Sequence, residues 1–230
     1  MYNVLQTPIF GIVITILFFN LGVYIQKKTK LAIFNPLLIA ILAIIAFLKI
    51  SNISYESYKI GGDTVNFFLA PVTIVLALPL YKQYDLLKKH FYEIIIGITS
   101  GVLVSFTSII IISKITNSDK LIMNSLLGKS ITTPMGISLT STLGGIESVT
   151  IVAIILTGII GGMIATPIFK LINTKHPVSK GIALGTASHA LGTTKALELG
   201  EIEGAMSGLA IGISGTITVV LVPILINFIK

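Results

Sequence analysis

Six stretches of the chain carry no lysine, aspartate or glutamate: residues 2–26, 31–48, 64–81, 94–113, 148–169 and 204–229. Each is long enough to cross about 30 Å of hydrocarbon as a helix. The pattern predicts membrane spans over residues 8–25, 33–48, 64–81, 94–115, 148–169 and 205–229, with a polar link at 51–63 that contains Gly61 and Gly62. The third span holds Pro71 and Pro79, and proline removes an amide donor and clashes with the preceding turn, so a kink or break is expected near residues 70–73. Two segments do not fit a lipid-facing helix. Residues 121–145 are moderately apolar but hold Lys129, Ser130, Thr132, Thr133, Pro134 and several glycines, which suits a discontinuous or re-entrant segment. Residues 181–203 place Gly185, Thr186, Ser188, His189, Gly192, Thr193, Thr194, Lys195 and Glu198 where hydrocarbon would be expected. The predicted fold class is an all-α integral membrane protein of about 7–8 segments, organised as one polytopic domain over residues 1–230.

Composition agrees with that assignment. Mean hydropathy is +0.97 and charged residues make up 11% of the chain, against about 25% in a soluble domain. The net charge of +7 comes from lysines placed mostly between the spans, so it reports membrane orientation rather than nucleic-acid binding. Positive-inside counting places the loops after the first and third spans in the cytoplasm, and the lysines at 170–180 put that loop there too. Both placements hold only if residues 121–145 enter and leave on one side. With no cysteine there is no disulfide, thiol catalysis or thiolate metal site.

An internal repeat is suggested at an offset of 115 residues, half the chain. Residues 69–76 align with 184–191 and residues 97–99 with 212–214, giving pseudo-repeats 1–115 and 116–230. The topology above inverts the second copy relative to the first, the plan of many secondary transporters.

Chemistry is expected at the two polar segments. A Lys or Glu at the bilayer centre costs roughly 3 kcal/mol even on lenient scales, so such side chains should face a protein interior or a water-filled cavity. A helix break near Gly185 and Thr186 would free amides and hydroxyls to bind an anion, with Ser188 and Thr193 beside them, and Thr73 would contribute from the matching break. Close packing of small residues is the competing account of these hydroxyls. An intramembrane imidazole titrates near neutrality, which makes His189 the candidate for a proton-coupled step, against a satisfied core histidine. Lys129 either snorkels to the surface or neutralises a bound carboxylate, with Ser130, Thr132 and Thr133 next to it. His90 and His176 lie beside loop lysines and are expected to be solvated; Glu147, Glu201 and Glu203 are expected as helix-start acids. No metal set, nucleophile elbow, phosphate loop or other catalytic motif is present, so neither enzyme activity nor a cofactor is expected.

The run 58–63 (Tyr-Lys-Ile-Gly-Gly-Asp), the run 68–82, the Lys129 to Pro134 cluster and residues 181–200, above all Ala183-Leu-Gly-Thr-Ala-Ser-His-Ala-Leu-Gly-Thr193, resemble the LrgB/CidB family over nearly the whole chain. Ala70 departs from the pattern, because many relatives carry an acidic residue or glycine there. The resemblance implies a multi-pass protein of the bacterial cytoplasmic membrane with a small holin-like LrgA/CidA partner, associated with murein hydrolase control, autolysis and programmed cell death. A plastid relative that exports glycolate and glycerate implies, alternatively, transport of small carboxylates such as pyruvate. Either way the surroundings are lipid and the ligand is no nucleic acid; whether the chain associates with copies of itself stays open.

Overall fold

The computed structural model describes residues 2–29, 34–68, 71 and 81–228, all helix and short turns. They fall into two compact units, drawn from Met1–Val75 and Leu76–Lys230.

In the first unit α1 (Tyr2–Leu5) leads into α2 (Pro8–Thr29), and α3 (Pro36–Ile50) and α4 (Tyr55–Phe67) both pack on α2. The first predicted span is α2, four residues longer than expected, and the second corresponds to α3, which starts at Pro36 and ends at Ile50. The expected polar link at 51–63 is corrected: most of it is α4. Ser54 starts that helix by accepting from the Ser57 amide at 3.3 Å, and Tyr58 meets Thr15 Oγ1 at 2.9 Å. Gly11 and Gly61 together permit the approach, since a Cβ on Gly11 would sit 2.8 Å from the Gly61 Cα and one on Gly61 would sit 2.7 Å from the Ile12 amide. A polar helix thereby finds an apolar neighbour that its own periodicity does not advertise. Most of the third predicted span (64–81), the kink expected at 70–73 and the candidate Thr73 lie outside the described residues, Pro71 apart.

In the second unit, α5 (Tyr84–Lys89) precedes three long helices, α6 (Phe91–Ile115), α9 (Glu147–Leu171) and α11 (Glu201–Asn227). At 1.5 Å per residue these are about 37–40 Å long, more than a bilayer core. With α2 they make four helices, among the described residues, long and apolar enough to cross a membrane. Their outward faces leave Ile111, Ile160 and Val220 more than half exposed, a surface fit for lipid. Two apolar clusters hold α6 and α11 together in parallel, Ile94 and Ile98 with Met206 and Ala210 at one end, Phe106 and Ile110 with Val222 and Ile226 at the other.

Two helical hairpins fill the space between the long helices. The first comprises α7 (Lys120–Leu126) and α8 (Thr133–Leu143), so the segment at 121–145 is discontinuous as expected. Its base is closed by Asn124 Nδ2 donating to Leu143 O at 2.6 Å, and near the tip a Cβ on Gly128 would lie 3.1 Å from the Gly136 Cα. The second is α10 (Pro177–Leu199), and here the expected break near Gly185 and Thr186 is corrected. Helical geometry continues through both, and the chain turns at His189, with φ 43° and ψ −133°. A Cβ on Gly192 would collide with Leu184 O. Eight residues of straight helix would separate them by about 12 Å, so residues 190–199 fold back on 177–188. Gly185 serves packing instead: its missing Cβ lets the first arm touch Ser207 O of α11.

Candidate functional site

The two hairpins point at each other. The tip of the first, residues 129–132, reaches Ser105 of α6 through Ser130 Oγ at 3.1 Å, while Met135 just beyond it lies against Gly215 of α11. The tip of the second packs Thr186 on Gly101 of α6, Ser188 on Gly161 of α9 and His189 on Gly158 of α9. Leu103, Ile159 and Ser214 are the central residues of α6, α9 and α11, so both tips arrive at mid-helix. They do so from opposite ends. The first hairpin opens towards Glu147, at the start of α9, and the second towards Glu201, at the start of α11. Its first arm runs parallel to α11, with Gly181 at Glu203 and Gly185 at Ser207; its second runs parallel to α9, with Leu191 at Gly158 and Lys195 at Gly162. The helices α9 and α11 are therefore antiparallel.

A cleft of about 620 Å³ lies between α6 and the first arm of α10. One stripe of α6, Glu93, Gly97, Gly101, Val104 and Ser108, forms one wall at helical spacing. Glu93 stands at the terminal end of α6, and Lys129 and Ser130 of the first hairpin tip stand at mid-helix depth. Lys129 Nζ donates to Ser130 Oγ at 3.1 Å, and Ser130 continues the chain of hydrogen bonds to Ser105. Among the described residues no carboxylate lies within ion-pair distance of Lys129. A half-buried ammonium at this depth, with a hydroxyl as its partner, is poised to accept an anion.

Of the residues singled out from sequence, Lys129, Ser130 and Thr186 meet in the cleft wall. Thr132, Thr133, Ser188, His189 and Thr193 are not among its lining residues. Thr132 caps α8, its carbonyl accepting from the Gly136 amide at 2.8 Å, and Thr133 is the first residue of that helix. Ser188 is buried. The His189 imidazole Nε2 lies 2.9 Å from Ile154 O, fully inside the packing of α9 and α10. Thr193 Oγ1 donates to His189 O at 3.1 Å and meets Ser207 Oγ at 2.8 Å, tying the returning arm to α11. Lys195 and Glu198 pair with each other at 2.8 Å on the outer side of that arm. His90 and His176 stack edge to face, ring centres 5.6 Å apart, with His176 exposed and His90 partly exposed.

Sequence reading overlooked the α6 contribution. Gly97, Ser100, Gly101, Ser105 and Ser108 recur at three- and four-residue spacing in a span otherwise rich in isoleucine, a stripe that could have been found.

Comparison with known proteins agrees with the membrane assignment. Residues 15–228 match the model of the LrgB-like family. The chain is 39% identical over 225 residues to the antiholin-like protein LrgB of Bacillus mycoides (strain KBAB4), covering 97% of this chain and 98% of that one. The LrgB proteins of Bacillus cereus (strain B4264) and Bacillus anthracis (strain CDC 684 / NRRL 3495) are matched at the same identity and coverage. No solved structure matches the chain. A match over nearly the full length of both chains leaves the conclusion that this protein belongs to the LrgB-like family of antiholin-like membrane proteins.

Proposed function

We propose that the protein is a secondary transporter of small monocarboxylates of the pyruvate or glycolate type, working with a small holin-like LrgA/CidA-type membrane partner in the bacterial cytoplasmic membrane. The observation that carries this reading is Lys129: it stands in the cleft wall at mid-helix depth, where two hairpins from opposite ends meet, and has no carboxylate partner among the described residues. The two hairpins are re-entrant, each dipping halfway into the bilayer and returning. A carboxylate entering past Glu93 displaces Ser130 from the ammonium and takes hydrogen bonds from Ser130 and Thr186. Proton coupling through His189 belongs to the same proposal, the imidazole acting from behind the tip it shapes. The inverted pseudo-repeats 1–115 and 116–230 would supply the symmetry for alternating access.

The relatives' name, antiholin-like protein LrgB, favours a second reading: an antiholin-like subunit without transport of its own, which the family resemblance would tie to murein hydrolase control, autolysis and programmed cell death. Uptake of labelled pyruvate or glycolate into proteoliposomes, with and without the small partner, separates the two. Saturable uptake that falls at least tenfold in Lys129→Ala is expected. No saturable uptake by the wild type under either condition would leave the regulatory reading, and wild-type uptake by Lys129→Ala would remove Lys129 from the site.

A further inference from the structure

Next to the cleft lies a second, much smaller void of about 10 Å³, and Ser105, Ser130 and Thr186 line both. Ser214 and Thr218 of α11 complete a ring of five hydroxyls drawn from both hairpins and two long helices, with apolar side chains closing the remainder. Ser214 Oγ donates to Ile211 O at 3.2 Å and Thr218 Oγ1 to Ser214 O at 2.7 Å. Their protons are thus spent on helix carbonyls, and they offer the void only lone pairs. Thr186 is 8% exposed, and its Oγ1 has no hydrogen-bond partner among the described residues. A buried hydroxyl left in that state is costly, so the void calls for an occupant.

Its chemistry narrows what the occupant can be. The space fits one particle of the size of a water molecule. Among the described residues the wall contains oxygen ligands and no carboxylate, a poor fit for Ca²⁺ or Mg²⁺, ions that recruit carboxylates. We infer that this void is a site for a dehydrated monovalent cation of sodium's size, filled together with the carboxylate. This inference rests on the carboxylate site proposed above. Lys129 supplies the coupling: with its ammonium on Ser130, a cation alone in the void faces a like charge at close range. A carboxylate seated on Lys129 cancels that charge, so each ligand favours the other and a sodium gradient can drive the anion.

Thermal unfolding of the full-length protein in detergent, titrated with NaCl against choline chloride at constant ionic strength, with and without pyruvate, tests this. Sodium should raise Tm saturably, and should lower the half-saturating pyruvate concentration about fivefold or more. Ser214→Ala and Thr218→Val, which line the void but not the cleft, should lose the sodium-specific shift. If either variant fails to fold, binding of ²²Na⁺ to the wild type, displaced by Na⁺ and not by choline, serves instead. Equal Tm curves in the two salts, with no ²²Na⁺ binding, overturn the proposal and leave the void to water. A sodium-specific shift without any pyruvate effect supports the cation site and removes the carboxylate reading instead.

Discussion

At His189 a single residue does what sequence rules assign to glycine. Its φ of 43° belongs to a region that costs a non-glycine residue about 1–3 kcal/mol. The surroundings hold it there: Nε2 on Ile154 O, Thr193 on its carbonyl, and Gly158 leaving no Cβ to crowd the ring. The turn therefore lies at His189 and not at Gly185 or Thr186, and the missing Cβ of Gly185 serves contact with α11. The polarity of the segment was legible, because any imidazole amid hydrocarbon stands out. The turn was not, because it depends on partners 35 residues away in sequence. Two substitutions divide the roles. His189→Ala keeps a Cβ at positive φ and loses the imidazole's hydrogen bond to Ile154 O, so it should cost about 1–3 kcal/mol. His189→Gly loses the same hydrogen bond but relieves the backbone, and should be less destabilising than alanine by about 1 kcal/mol in thermal unfolding. Equal losses would mean that the backbone at 189 stores no strain.

Among the elements, the first hairpin shows how a weakly apolar segment is fixed in place. Its polar residues are consumed at its base: Ser125 Oγ accepts from the Ile146 amide at 2.7 Å, Thr150 Oγ1 donates to Ser125 O at 2.8 Å, and Thr140 Oγ1 meets Thr150 Oγ1 at 2.7 Å. Discontinuity here was readable from Lys129, Pro134 and the glycines. The division of labour was not, since nothing in the sequence tells Thr140 or Thr150, which lock the base, from Ser130, which faces the cleft. Thr150→Val keeps shape but leaves Ser125 O and Thr140 without their partner in a fully buried place. It should destabilise by about 1–3 kcal/mol. Thr142→Val, on an exposed hydroxyl that bonds only the carbonyl of Ser138, should change Tm little. Comparing the two by thermal denaturation in detergent checks whether the hairpin is held by its base.

For the molecule as a whole, the decisive property is that hairpin followed by long helix occurs twice in the second unit, with the long helices antiparallel. Each hairpin is announced by the same turn. Asn117 and Asn173 sit at φ 49° and 51°, each three residues after a lysine whose carbonyl receives the asparagine amide. Positive-inside counting demanded an even number of crossings between Lys89 and Lys170, and a hairpin that returns to its own side meets that demand with α6 and α9 alone. The absence of native cysteine makes the point directly testable with single cysteines and a membrane-impermeant maleimide. Ser118→Cys, exposed just before the first hairpin, and Lys175→Cys, exposed just before the second, should label from opposite faces of intact and inverted vesicles, with residue 175 on the cytoplasmic face. Only α9 then crosses between them. Labelling of both from one face would mean that residues 120–143 traverse the bilayer; the two tips could not then meet at its middle, and Lys129 would lose the position on which the carboxylate site depends.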